Sequence, residues 1–300
     1  MRSRIVLHGK QAQHEGLRRA ITTLRGESHH VDVRLTWEGG DAAKLAHEAV
    51  ALGFDRVIAG GGDGTVNEVL TGLVKANFTG TVGVLPLGTA NDFARSAGIA
   101  LDMESALRTA LTAQGQQVDF GQVEDRLFLN VATGGFGTQI TTQTDPMLKK
   151  ALGGAAYFLT GVTHFSSIAP VDVEVLSPAG SWRGELLVLA IGNGRQAGGG
   201  NVLCPDAYID DGLLDVAILP FLPEVPIHEA LGELMSRGIE ALEDVTIRLQ
   251  APWVEVRAHA PLTLNLDGEP HEAEHHRFEV VRRSLSLALP QNAPLLSAHV

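Results

Sequence analysis

The sequence predicts a doubly wound α/β domain followed by a β-sandwich-like domain, and three observations carry that prediction. Over the first 120 residues, apolar runs of strand length alternate with amphipathic helical stretches, the pattern of a parallel sheet covered on both faces. Beyond residue 121, short strands punctuated by Gly, Pro and Asp replace the alternation. The chain has 300 residues, a length for about two domains, and 44% of them are hydrophobic, enough for at least one full-sized core. The expected division is 1–121 and 122–285, with a cleft between the two domains. The segment 286–300 is a candidate to rejoin the first domain.

Taken in order, Arg4–His8 reads as a buried strand, Glu15–Leu24 as a helix and Val31–Leu35 as an alternating strand. Asp41 is placed to cap a helix with Leu45, Ala49 and Leu52 on one face. Arg56–Ala59 forms a third strand, and Val66, Val69, Leu70 and Leu73 then recur at helical spacing. A fourth strand, Thr81–Leu85, ends at Pro86, and helices are expected near Asn91–Ala97 and Met103–Ala113. In the second half, strands are expected at 126–131, 171–176, 184–191, 212–219, 246–249, 253–258, 262–266 and 277–281. Helical interruptions fall near 146–168 and 226–242; in the latter, Ile227, Leu231, Leu234 and Ile239 mark an apolar face suited to core packing.

The formal charge of -12 excludes nucleic-acid binding by charge, and equally adhesion to an anionic membrane by charge alone. It is unevenly spread: residues 1–121 hold 12 basic and 13 acidic side chains, whereas residues 122–300 hold 11 and 22. One cysteine, Cys204, cannot form an internal disulfide, which fits a reducing compartment. The opening Met1-Arg2-Ser3-Arg4 leads into only a short apolar run, so a cytoplasmic location is expected. Ala151–Ile168 carries no Asp, Glu, Lys or Arg. Its polar His164, Ser166 and Ser167 nonetheless favour a buried helix beside an apolar substrate over a membrane span.

Two loops hold the chemistry. GGGDGTVNEV, Gly60–Val69, lies between a strand and a helix, where glycines let backbone N–H groups approach phosphate oxygens and the helix N-terminus adds its dipole. Asp63 cannot touch phosphate directly; it is placed to hold magnesium through water or to fix neighbouring backbone. LPLGTANDFARS, Leu85–Ser96, also follows a strand and opens a helix, with Asn91 or Asp92 available as its cap. In an open α/β sheet, ligands bind outside the carboxyl ends of the strands, where both loops fall. Neither GxGxxG nor GxxxxGK[ST] occurs, which disfavours Rossmann dinucleotide binding and the P-loop.

These two strings together resemble the diacylglycerol-kinase catalytic-domain family, the bacterial lipid kinases, and most closely their YegS-type branch. Further matching strings are VRLTWEGGDAAK (33–44), NVATGGFGTQITT (130–142), IGNGRQAGGG (191–200), LCPDAYIDDGLLDV (203–216) and LNLDGEP (264–270), in family order along nearly the whole chain. The resemblance implies a kinase that moves the ATP γ-phosphate to the hydroxyl of a phosphatidylglycerol- or diacylglycerol-like lipid, with transient membrane contact. It places ATP contacts on Thr36, on Gly62, Asp63, Gly64, Thr65, Val66, Asn67 and Glu68, and on Thr89. It places a cation, Mg2+ or Ca2+, at Tyr208, Asp211 and Leu213, and oxygen donors of that kind suit a hard cation.

The resemblance also puts the proton acceptor at Glu269, a carboxylate of the type that phosphoryl transfer to an alcohol needs. Asp267 stands two residues away and is set aside only on that resemblance. Asp92 and Asp119 are candidates to join Asp63 in a magnesium-linked network. Arg195 is a candidate for a lipid phosphate or for a loop anchor. The group His271, Glu272, Glu274, His275 and His276 lacks zinc spacing and reads as a solvated turn. Two other functions share these features: an NAD kinase-like phosphotransferase, and a non-catalytic sensor of nucleotide or lipid.

Overall fold

The computed structural model describes residues 1–27, 29–135, 170–267 and 269–297. The chain divides into two compact units, Met1–Phe120 with Arg282–Val300, and Gly121–Val281. The apolar stretch 151–168 lies outside the described residues. Among the described residues, no helix is long and apolar enough to cross a membrane.

The first unit alternates as its sequence predicts. Its elements are β1 (Arg2–Leu7), α1 (Glu15–Gly26), β2 (His30–Leu35), α2 (Asp41–Ala51), β3 (Arg56–Gly61), α3 (Asp63–Lys75), β4 (Thr81–Pro86), α4 (Asp92–Ser96), α5 (Met103–Thr112) and β5 (Gly115–Val123). β4, β3, β1 and β2 lie side by side in that order, all parallel. The central residues of three of them, Ile5–Leu7, Val57–Ala59 and Val82–Leu85, are all buried, as expected of strands covered on both faces.

Helix packing departs from the expected pattern at α2. Its buried face is Ala42, Ala46 and Ala49, while Leu52 is 49% exposed. The cause is close backbone approach: a Cβ on Gly72 of α3 would come within 2.6 Å of Ala43 O. Only small residues fit such a seam, so leucine is excluded from it. Arg56, also buried, donates from its guanidinium to Ala110 O and Ala113 O and so satisfies the free carbonyls ending α5.

The second unit is built on strands β6 (Arg126–Phe128), β7 (Val131–Gly135), β8 (Val171–Ser177), β9 (Gly180–Gly192), β10 (Gln196–Ala197), β11 (Asn201–Val202), β12 (Leu214–Pro220), β13 (Ile247–Ala251), β14 (Trp253–Leu266) and β15 (Glu269–Ala288). Helix α6 (Ile227–Arg237) interrupts them. β7 and β8 both pair with β9 and with β14, at separate stretches, so they lie end to end between those two long strands. Alternate residues of this sheet enter two apolar clusters. One includes Ala132, Leu186, Ile191 and Phe278; the other includes Val131, Leu187, Ala190 and, from α6, Ala230 and Leu234.

Two predicted strands, 253–258 and 262–266, are one strand whose register shifts between Arg257 and Leu262. β15 is 20 residues long where five were expected. Near its end, Ser286 and Leu287 pair in parallel with Thr81 and Val82 of β4.

Candidate active site

The two glycine loops leave the carboxyl ends of neighbouring parallel strands and meet backbone to backbone. A Cβ on Gly88 would stand 2.4 Å from Gly62 Cα and 2.9 Å from Asn91 Oδ1, closer than real atoms approach. Leu87 N donates to Gly61 O at 2.9 Å. A Cβ on Gly61 would strike Thr65, again at 2.6 Å. Glycine is therefore required by contact here, and the loops are held as one surface.

Asp63 stands in the first loop, and its carboxylate caps the helix of the second. Its Oδ2 accepts from Asp92 N at 3.1 Å and its Oδ1 from Phe93 N at 3.0 Å. Of the two roles expected for it, the structure gives the fixing of neighbouring backbone. Neither Asn91 nor Asp92 caps α4 as expected. Asn91, at φ 52°, braces the loop instead: Oδ1 accepts from Gly88 N at 2.8 Å, and Nδ2 donates to Gly88 O at 2.9 Å. Asp92 and Asp119 are buried, and Asp119 Oδ1 accepts from Arg283 N at 2.7 Å.

The N-terminus of α3 has no side-chain cap. Its first N–H groups have no partner four residues back in the helix, so they suit an anion. Gly64 in that first turn is exposed, and a Cβ there would meet no heavy atom within 4 Å. Thr89 is exposed at the tip of the second loop. Glu68 has a buried carboxylate oxygen, Oε1, that meets no donor. Open space, a free helix end and an unanswered buried oxygen fit a triphosphate with its cation. Val66 differs: it is 3% exposed, its N–H donates to Gly62 O, and it packs the helix.

Thr36 lies at the same edge of the sheet, one residue beyond β2. Its N–H donates to Leu7 O, and its Oγ1 accepts from Gly9 N at 3.2 Å. A residue not singled out in the sequence, Gln11, joins this corner to the second loop by donating from Nε2 to Leu87 O at 2.9 Å. An isolated Gln after a strand gives no pattern by which to find it.

In the second unit, the predicted cation loop is a tight turn. Asp211 Oδ1 accepts from Leu213 N at 2.9 Å across Gly212, whose φ is 76°. Arg195 anchors the segment: Nε donates to Ala207 O at 2.9 Å, and the guanidinium lies 5.1 Å from the centre of the Tyr208 ring. Nearby, Asp215 is buried and accepts from Gln250 at 3.0 Å through Oδ1, while Oδ2 meets no donor. Burial pushes its carboxyl up to about 6; Asp211 and Asp206 add to the rise, and the Gln250 bond opposes it. One carboxylate with main-chain carbonyls from Tyr208 and Leu213 is a donor set that fits a hard cation.

Glu269 opens β15 opposite Leu266 of β14. The geometry separates it from Asp267, which stands at φ 48° and closes a different junction. Asp267 Oδ2 accepts from Leu129 N at 2.7 Å and Oδ1 from Asn130 N at 3.2 Å. Asn193 completes that junction by donating from Nδ2 to Leu129 O at 3.0 Å. These clamps were not anticipated; the signal available was polar Asn and Asp set among apolar strand residues.

The histidine run is strand, not a solvated turn. His276 is 1% exposed, with Nε2 at 3.0 Å from Leu262 O. Its neighbour His271 lies with Nε2 3.6 Å from Glu124 Oε1. Burial holds the His276 imidazole below its ordinary pKa. Among the described residues, no three His, Cys, Asp or Glu side chains gather as a metal would need.

An α/β unit with two joined glycine loops, followed by a strand-rich unit, is a class of fold with known members. Residues 5–123 match the diacylglycerol kinase catalytic domain, and residues 130–289 match the YegS C-terminal NAD kinase beta sandwich-like domain. The chain is 49% identical over 293 residues to a "Probable lipid kinase YegS-like" of Pseudomonas putida, covering 98% of this chain and 97% of that one. A protein of the same name from Pseudomonas aeruginosa is 49% identical over 292 residues, covering 97% and 95%. The crystal structure of a diacylglycerol kinase from Bacillus anthracis str. Sterne superposes with a TM-score of 0.80 at 21% identity, over 97% of each chain, a likeness of fold. The chain belongs to the diacylglycerol kinase catalytic-domain family, in the branch that carries the YegS-type C-terminal domain.

Proposed function

We propose that this chain is an ATP-dependent lipid kinase that phosphorylates a free hydroxyl of a phosphatidylglycerol- or diacylglycerol-like lipid. The observation that carries the reading is the uncapped N-terminus of α3 beside the joined Gly62 and Gly88 loops, a surface made for phosphates. In this reading the first unit takes the nucleotide, with Gly62–Thr65 and Thr89 at the phosphates and Thr36 further along the sheet edge. Val66 contributes by packing α3, and Asn67 and Glu68 follow it in the next residues of the same helix, both half-buried. The second unit takes the lipid and a divalent cation. The Pseudomonas relatives, alike over nearly the whole chain and named as probable lipid kinases, support the lipid-kinase reading.

A divalent cation, when bound to the second unit, would be held by Tyr208, Asp211 and Leu213, a set of oxygen donors suited to a hard ion. Arg195 keeps the chain around that turn in place. Glu269 accepts the hydroxyl proton as the new O–P bond forms. Asp267 is a poor rival for that task because both its oxygens already accept backbone N–H groups. Loss of one proton acceptor costs about 10²- to 10⁴-fold in rate. The expected outcome for Glu269→Gln is a loss of that order in phosphoryl transfer with ATP affinity kept. Full transfer by a folded Glu269→Gln protein would remove the assignment.

A further inference from the structure

Trp37 is 95% exposed, far above the other exposed large apolar side chains, of which Met1 at 61% is next. A loop bearing so much bare apolar surface would ordinarily be loose, yet this one is fixed at every step. Thr36 N donates to Leu7 O at 3.0 Å, and Gly9 N donates to Thr36 Oγ1. Asp41 Oδ2 then accepts from Trp37 N at 2.9 Å and from Glu38 N at 3.0 Å. Asp41 is the first residue of α2 but does not cap it; the N-cap is Gly40, at φ 85°. Its carboxylate holds the tryptophan loop instead, and those bonds keep its carboxyl below the usual range.

Strand register places the end of β2, two residues before Trp37. Leu7 pairs with both Leu35 and Gly60, so the end of β2 lies two strands from the first glycine loop. At about 4.8 Å per strand that is roughly 10 Å, along the edge where the α3 N-terminus opens. The base of a nucleoside triphosphate stands about that far from its terminal phosphates. The flanking charges do not suit an anionic bilayer. Arg34 and Lys44 are paired with Asp32 and Asp41, and Glu38 remains.

We propose that Trp37 is the stacking platform for the nucleobase: its indole packs on the base of a nucleoside triphosphate whose phosphates rest on the Gly62–Thr65 turn. The proposal rests on the nucleotide reading above and adds a positioning residue to it. Stacking is sequence-tolerant because every base presents a π face. The site therefore takes nucleoside triphosphates as a class, whichever base they carry. Asp41 acts one step back, by setting the loop that presents the ring.

Calorimetric titration of the full chain with MgATP and with inorganic tripolyphosphate tests this. Trp37→Ala weakens ATP binding about 5- to 150-fold, the range base stacking is worth, and leaves tripolyphosphate affinity unchanged. Trp37→Phe recovers most of the ATP loss. ATP binding by Trp37→Ala equal to the parent overturns the proposal and leaves the nucleotide reading intact, as does an equal loss for both probes. A parent chain that binds neither probe removes the nucleotide reading, and this inference with it. Loss of binding to phosphatidylglycerol vesicles with ATP affinity intact also overturns it, because the indole then serves a membrane.

Discussion

Asp63 and Gly88 show how much of the proposed phosphate surface is made by groups that need not touch phosphate. The carboxylate joins the loops by capping α4, and the glycine lets them meet. Gly88→Ala must drive the loops apart, since its Cβ would lie 2.4 Å from Gly62 Cα. We expect overpacking to cost about 1–3 kcal/mol of stability, read as a lowered melting temperature, together with weaker ATP binding. Gly64→Ala, which meets open space, should leave stability within about 1 kcal/mol of the parent. Thermal denaturation of the two variants distinguishes a contact requirement from a general preference for glycine.

His276 gives a second prediction at this scale. Burial lowers its folded pKa below the unfolded value near 6.5, so in the window below about 6.5 the unfolded chain binds the extra proton. Stability is therefore present above that pH and falls as the pH drops through the unfolded pKa toward the folded one. The groups facing the ring are His271, Glu124, Leu262 O and Phe278. The melting temperature should fall more steeply between pH 7 and pH 5 for the parent than for His276→Leu. Equal slopes would show that this ring does not titrate with unfolding.

At the scale of elements, the turn from Asp210 to Leu213 before β12 carries the cation prediction. Asp211→Ala removes the one carboxylate of the proposed set and one hydrogen bond to Leu213 N. Activity should then need much more divalent cation to reach half its maximum. An unchanged metal dependence would take the site elsewhere.

Elements were legible where side-chain period and burial agree. β1, β3 and β4 read correctly because strands buried on both faces are nearly continuous apolar runs. β15 was mostly hidden because its first half, with His271, Glu272, Glu274 and His275, is rich in charge; pairing with β14 makes it a strand. The face of α2 was misjudged because Gly72, on another helix, sets how close the seam lies. Loop chemistry was legible in GGGDGT and LPLGTAND, but the partner of Asp63 lies 29 residues on, and no local pattern encodes that. Asp267 and Glu269 could not be told apart by spacing. Tertiary contacts to Leu129 and Asn130 separate them.

For the whole molecule, the negative charge lies almost entirely beyond residue 121, where the proposed cation site and Glu269 also lie. A chain of net charge -12 should reach a bilayer through apolar contact or bridging divalent ions, not through attraction to anionic headgroups. Raising the anionic lipid content of vesicles without a divalent ion should not strengthen binding in a sedimentation assay. A marked increase would place a basic docking face on the protein.

Phosphate transfer from ATP to a lipid hydroxyl is tested most directly by following the phosphate. Purified protein incubated with γ-labelled ATP, Mg2+, NAD and a total lipid extract should place the label in an organic-extractable product. Mass spectrometry of that fraction should show a lipid with one added phosphate, which is lost with Glu269→Gln. Label recovered in NAD, or no transfer despite tight ATP binding, would contradict the lipid-kinase reading.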